Sequence, residues 1–518
     1  MSHVTPSRLL CFLAVAAILF AASWRERVET APPTEPSAQT NVGEANAKTT
    51  TALRLVGSAS CATAACHGGL SGQPIIGAEF PIWSQRDPHS RAYSVLLNDL
   101  SQQMVKRLGL TPPAHELAVC LNCHSPATTA FAEAASGRER HSIDGVSCEQ
   151  CHGPAEHWLT AHVRKDWRTR SPAEKQRLGY RDLTDVLTRA SLCVDCHVGG
   201  PGRDVNHDLI AAGHPRLFFE LSAFHANWPK HWPREAGGRA LLPDHTSPTR
   251  QRGVDQEAGS GKQTAASSFE AKLWAIGQVV TAQRSLELLA QRAAHADANS
   301  AASWPELAEW NCFACHHDLQ AGSWRQARTD LSRVKDSLAG NVWPYALIES
   351  LAIETDHAEL VGDKSLWQPL RSLIGRPFPP PALIQKQAAT IAAELGVWAK
   401  DLNQRDAADQ HFSSAAINKL QLRLTGDVGA KLIARDWDSA TQVVLALASL
   451  HHASVAARTK KTSADEERDR EIQAVIDSMN ETLNFPLGFQ SPRDFVDKPI
   501  ERLQADLLRL RKLLISPK

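Results

Sequence analysis

The chain has 518 residues, 43% of them apolar and 22% charged, enough for two or three packed units. Its 56 basic side chains balance 56 acidic ones, so composition excludes the strong basic bias expected of a protein that binds nucleic acid or an anionic membrane surface. The chemistry-bearing residues in excess are 11 cysteines and 22 histidines.

Residues 1–27 begin with a short head carrying Arg8, then an apolar stretch from Leu9 to Ala22. Its length and the small residues Ala21 and Ser23 suit a signal peptide. Arg25 and Arg27 suit an uncleaved anchor, through which the chain would associate with a membrane. Cys11 lies inside this stretch and reads as a small hydrophobe. Residues 28–52, rich in Thr, Ala, Pro, Glu and Ser, read as a disordered linker.

The segment 53–232 carries four cysteine pairs, each followed directly by histidine. The first is wide, Cys61-Ala62-Thr63-Ala64-Ala65-Cys66-His67. The others are Cys120-Leu121-Asn122-Cys123-His124, Cys148-Glu149-Gln150-Cys151-His152 and Cys193-Val194-Asp195-Cys196-His197. A fifth, Cys312-Phe313-Ala314-Cys315-His316, follows later. Two cysteines separated by two residues, with a histidine directly after the second, form the attachment signature of c-type haem. Each thiol bonds one porphyrin vinyl group, and the histidine becomes the proximal iron ligand. With histidine at its frequency in this chain, five such placements arise by chance roughly once in ten million. Zinc sites and disulfides explain cysteine pairs but not a histidine in that register every time. Five covalently attached haem c groups are therefore expected, and with them export to the periplasm or the outer face of the cytoplasmic membrane.

Short amphipathic pieces broken by Gly and Pro fill 53–232, with little strand alternation. Residues 233–267 read as a flexible loop. Ser267-Ser268-Phe269-Glu270 is a capping pattern that predicts a helix, with Phe269, Leu273, Ile276 and Val280 on one face. The unit 268–323 carries the fifth motif, after a short helix predicted from Trp304-Pro305-Glu306. The remainder, 324–518, has no cysteine and reads as haem-free helices, with a second capping pattern at Ser463–Glu466 and a Leu503, Leu507, Leu510, Leu514 stripe. The expected fold is mostly α, a helical chain wrapped around five haems with a helical C-terminal region.

The sixth ligand of each iron separates an electron carrier from an enzyme. Methionine is scarce (Met1, Met104 and Met479), which favours bis-histidine ligation. His89, His157, His162, His207 and His214 are the leading candidates from their places near the motifs, ahead of His115, His141, His225, His231 and His317. His207 and His214 are seven apart, so one helical face would show both. Arg86, Arg91, Arg203 and Arg216 are candidate partners for haem carboxylates.

The run Gly145-Val146-Ser147-Cys148-Glu149-Gln150-Cys151-His152-Gly153-Pro154 and the Trp83…His89-Ser90-Arg91-Ala92 element resemble the cytochrome c-554 family. That family shares a superfamily with hydroxylamine oxidoreductase and the multihaem nitrite and tetrathionate reductases. The resemblance covers about residues 53–230. It implies an exported, mostly helical chain with closely packed haems that passes single electrons between redox partner proteins. The Asn206–Leu217 and Trp304–Leu319 runs also resemble uncharacterised cytochromes of this type. The family pattern has four haems where this chain has five motifs. Every motif here ends in His, whereas the nitrite reductases carry a proximal Lys. The tyrosine that hydroxylamine oxidoreductases cross-link to haem finds no matching context at Tyr93, Tyr180 or Tyr345. The leading expectation is an electron-transfer cytochrome. The alternative is a multihaem oxidoreductase acting on a small nitrogen or sulfur compound at one open haem.

Overall fold

Local interruptions keep the helices of the motif-bearing half short. In this computed structural model the described residues are 53–69, 77–126, 143–232, 260–298, 303–312, 340–357, 360, 366–376, 378–405, 410–458, 462–483 and 498–515. The leader and linker readings, His141, Cys315, His316 and His317 lie outside them. In chain order come α1 (Glu79–Arg86), α2 (Asp99–Arg107), α3 (Ala118–His124), α4 (Cys148–His152), α5 (Pro172–Arg177), α6 (Val186–His197), α7 (His207–Ala212) and α8 (Leu221–Asn227). Side-chain caps start several of them. Asn98 accepts from Ser101 N, Asp185 from Thr188 N and Asn206 from Leu209 N, at 2.8, 2.8 and 2.9 Å. Gly213, with φ of 124°, ends α7. His214 therefore leaves the helix, and the expected shared face of His207 and His214 does not form. Among the described residues there is no strand, only the isolated bridges Gly200–Arg203 and Trp310–Gly340.

The second half is built on long helices. α9 runs from Ser260 to Ala298, 39 residues. It starts before the Ser267–Glu270 pattern, which lies inside the helix, and takes up the end of the stretch read as loop. Ala265 and Ala266 favour helix there, so propensity carries the element past the cap signal. Leu273, Ile276 and Val280 are buried and Phe269 half-buried, the face the periodicity predicts. Beyond it lie α10 (Ile348–Glu354), α11 (Trp367–Ile374), α12 (Pro381–Gln404), α13 (Ser414–Leu424), α14 (Asp427–Arg435), α15 (Trp437–Ala456), α16 (Ser463–Leu483) and α17 (Lys498–Ile515). Thr462, one residue before the predicted cap, caps α16 reciprocally with Asp465. At 304–309 only a 3-10 turn forms, Leu307–Glu309, capped by Glu306.

One apolar core spans both halves. It joins Val186, Ala190 and Val194 of α6 to Leu273 and Trp274 of α9, Leu395 and Trp398 of α12, Val443 and Leu447 of α15, and Leu507 of α17. The helices without cysteine are thus continuous with the helix that carries the fourth motif. Among the described residues no helix is long and apolar enough to cross a membrane.

Candidate haem crevice

Helical geometry explains the motif spacing. Positions i, i+3 and i+4 of a helix share a face, and α3, α4 and α6 each end on their motif histidine. Both cysteines and the histidine therefore project together. Ser147 and Gln150 form a capping box that opens α4. The wider first motif begins in a 3-10 turn, Ser58–Cys61, and continues through a turn to His67.

Two clamps bring the motifs together in pairs. Glu149, inside the third motif, is 3% exposed and accepts from Val56 N, Gly57 N and Ala155 N at 3.0, 2.8 and 2.7 Å. It draws the segment before Cys61 onto α4, so that the Cys61 and Cys148 thiols hydrogen-bond to each other. Arg203 donates to Asn122 O at 2.8 Å and lies 3.8 Å from Asp195, and Asn122 Nδ2 donates to Gly202 O at 2.6 Å. The second and fourth motifs meet there, and Cys123 hydrogen-bonds to Cys196. Burial pushes Cys151 and Cys193 up to about 12, and each thiol sits in the field of the other pair. The nine described motif thiols are free.

The two elements that carry the sequence resemblance also touch. Val146 N donates to His89 O at 3.1 Å, and Trp83 Nε1 donates to Val146 O at 3.1 Å. Gly145 makes this approach possible. Its φ is +62°, and a Cβ there would stand 2.7 Å from His89 O.

Each described motif histidine faces a second histidine. His67 pairs with His162, His124 with His214, His152 with His231 and His197 with His89, with ring centres 6.1, 6.3, 6.3 and 6.0 Å apart. With metal–imidazole bonds of about 2 Å, two rings bound to opposite sides of one ion stand about this far apart. All four described motif histidines meet a histidine from a distant segment in this way. Burial lowers the proton affinity of His124, His214 and His231, and takes His152 and His197 down to about 4. All five are neutral at physiological pH, the form that binds metal.

Of the sequence candidates, His89, His162 and His214 stand opposite motif histidines. His157 is exposed, and no described motif ring packs against it. His207 opens α7, its N–H donating to Glu306 at 2.8 Å. His231, a lesser candidate, completes the third pair. Its position shortly after α8 gave no local signal, because it reaches His152 only through the fold. His225 is buried and bonded to Arg189 at 2.8 Å; burial, with Lys230 and Arg189 beside it, takes it down to about 2. His115 packs on Tyr93 instead.

A cavity of about 2660 Å³ runs between these elements, lined by Cys120, Cys123, Cys151, Cys193 and Cys196 with His89, His124, His197 and His214. Val95, Leu100, Val119 and Phe224 line it and are 39, 49, 42 and 46% exposed. An apolar, planar group covers such a surface favourably. Thiols in pairs, neutral imidazoles facing each other and uncovered apolar walls together fit covalently attached haem. Arg86, Arg91 and Arg203 reach the lining, while Arg216 is committed to Asp438 at 2.8 Å, 3.9 Å from Cys312 Sγ. Trp343, Trp437, Thr441 and Leu445 extend the wall from the cysteine-free region.

Residues 60–153 match the family model described as cytochrome c554 and c-prime. No curated protein and no solved structure matches the chain. The matched segment holds the first three motifs, the Trp83–Ala92 element and Glu149, and over these residues the chain resembles the c-type cytochromes of the cytochrome c554 family.

Proposed function

We propose that the chain is an exported pentahaem cytochrome that relays electrons between redox partner proteins through mostly bis-histidine haems. The observation that carries this reading is the set of four histidine pairs at 6.0–6.3 Å. His67 and His162, His124 and His214, His152 and His231, and His197 and His89 would each hold one iron between them, and sites held in this way would leave no coordination position for a substrate. Haem iron, when bound, supplies one-electron chemistry, and the protein supplies spacing, orientation and potential.

The residues also suggest an order. Cys61 against Cys148 places the first and third attachment sites side by side, and Cys123 against Cys196 does so for the second and fourth. Cys151 lies within the field of Cys193 and Cys196, joining third to fourth. Arg216, two residues after His214, lies 3.9 Å from Cys312 Sγ, which supports a fifth site next to the second. The route reads first, third, fourth, second, fifth. Five motifs, each with both thiols and a histidine, support five haems, and the leader-like segment 1–27 supports export.

Pyridine haemochrome analysis should give five haems per chain, and electron paramagnetic resonance of the oxidised protein should give at least four low-spin haems. His231→Ala should turn one low-spin haem high-spin and open one carbon monoxide site. A variant that keeps the full low-spin count would remove His231 from the ligand set and undo the pairing argument.

A further inference from the structure

Six of the eight paired histidines have a described Nδ1 environment, and it differs among them. His124 Nδ1 lies 2.9 Å from Ala92 O, His214 Nδ1 2.8 Å from Pro215 O and His162 Nδ1 2.6 Å from Leu159 O, all neutral carbonyls. His231 Nδ1 is buried with no hydrogen-bond partner among the described residues. Two rings meet a carboxylate instead. His67 Nδ1 lies 3.0 Å from Glu79 Oε2, and His89 Nδ1 lies 2.9 Å from Asp87 Oδ1.

We propose that Glu79 and Asp87 are positioning residues that hold the first and fourth haems at lower reduction potentials than the second and third. The inference rests on the bis-histidine reading above. A carboxylate accepting from Nδ1–H fixes the tautomer and adds negative character to the ring, which makes the opposite nitrogen a stronger donor. A stronger donor stabilises ferric iron over ferrous and lowers the potential. A carbonyl does this weakly, and an unpartnered nitrogen not at all.

Exposure ranks the two. The Asp87 side chain is 2% exposed against 22% for Glu79, so solvent screens Asp87 less and the fourth site lies lowest. Asp87 is also rigidly held. Its Oδ1 accepts from His89 N at 3.0 Å, and its Oδ2 accepts from Trp228 Nε1 at 2.7 Å. The Trp228 ring packs against His89 and His231, ligands of the fourth and third sites. The lowest potential thus falls in the interior of the proposed route, where an electron leaving the third site must climb.

The test is a spectroelectrochemical titration of the full haem-loaded chain with paramagnetic resonance at each potential. Asp87→Asn keeps an acceptor but removes the charge. It should raise the potential of one haem by about 59 mV, a tenfold change in a one-electron equilibrium, with the low-spin count unchanged. Glu79→Gln, on a more exposed side chain where folding is safer, should raise a different haem by less. In the double variant the two shifts should add. Unchanged potentials in the Glu79→Gln protein and in any folded Asp87→Asn protein, at full low-spin count, overturn the tuning and leave the pairing intact. If His89→Ala produces no high-spin haem, the pairing itself fails.

Discussion

Glu149 occupies one of the two variable positions of a haem-attachment motif, yet its carboxylate is buried and takes three backbone N–H groups, two from the distant Val56–Gly57 segment and one from nearby Ala155. Buried donors left without a partner cost about 1–3 kcal/mol each, so the side chain is a clamp as much as a spacer. Glu149→Ala should lower the unfolding free energy by about 3 kcal/mol or more, read from denaturant titration of the haem-loaded protein. It should also loosen the first site before the third, because Val56 and Gly57 lead directly into Cys61. Intact stability with normal first-site ligation would show that the surrounding contacts suffice.

Among the elements, α15 is buried along most of its length, and its His451 is 4% exposed. Burial pushes the imidazole down to about 3, with His452 and Arg458 nearby acting in the same direction. The native helix keeps this ring neutral, while the unfolded chain takes up a proton near pH 6.5. Its stabilising contribution is therefore complete above about pH 6.5 and lost as the pH falls toward 3. His451→Gln should flatten that acid limb relative to wild type, as seen in denaturation midpoints between pH 7 and 4. Parallel pH profiles for the two proteins would show that the ring is already protonated in the fold.

At the scale of the molecule, the cysteine-free helices are part of the same core as the motif helices. α12 packs along α9, and Trp437, Thr441 and Leu445 of α15 line the crevice. Truncation before Pro381 removes α12 to α17 and uncovers Leu273, Trp274 and Ile276, all at most 1% exposed. The truncated chain should lose cooperative unfolding and soluble yield, followed by differential scanning calorimetry and haem content. A truncated protein that unfolds cooperatively with its full haem complement would make 381–518 a separable module.

Attachment chemistry is local and can be read from consecutive residues. Two thiols and an imidazole share one helical face at fixed offsets, and that pattern is legible at Cys120, Cys148 and Cys193 without any fold. Helical class and the buried faces of α9 and α17 were equally legible, since periodicity is a property of consecutive residues. His89, His162 and His214 stood out because each lies near a motif. His231 did not, and His157, which lies equally near a motif, is exposed with no described motif ring against it. The pairing of histidine rings is a contact between segments up to 108 residues apart, His89 with His197, and no local pattern encodes it. Contacts between distant segments set which ring faces which, bring the motifs together two by two through Glu149 and Arg203, and stand carboxylates behind His67 and His89 alone among the paired rings with a described Nδ1 contact. Those facts depend on where the core shared by α6, α9, α12 and α15 sets the short helices down.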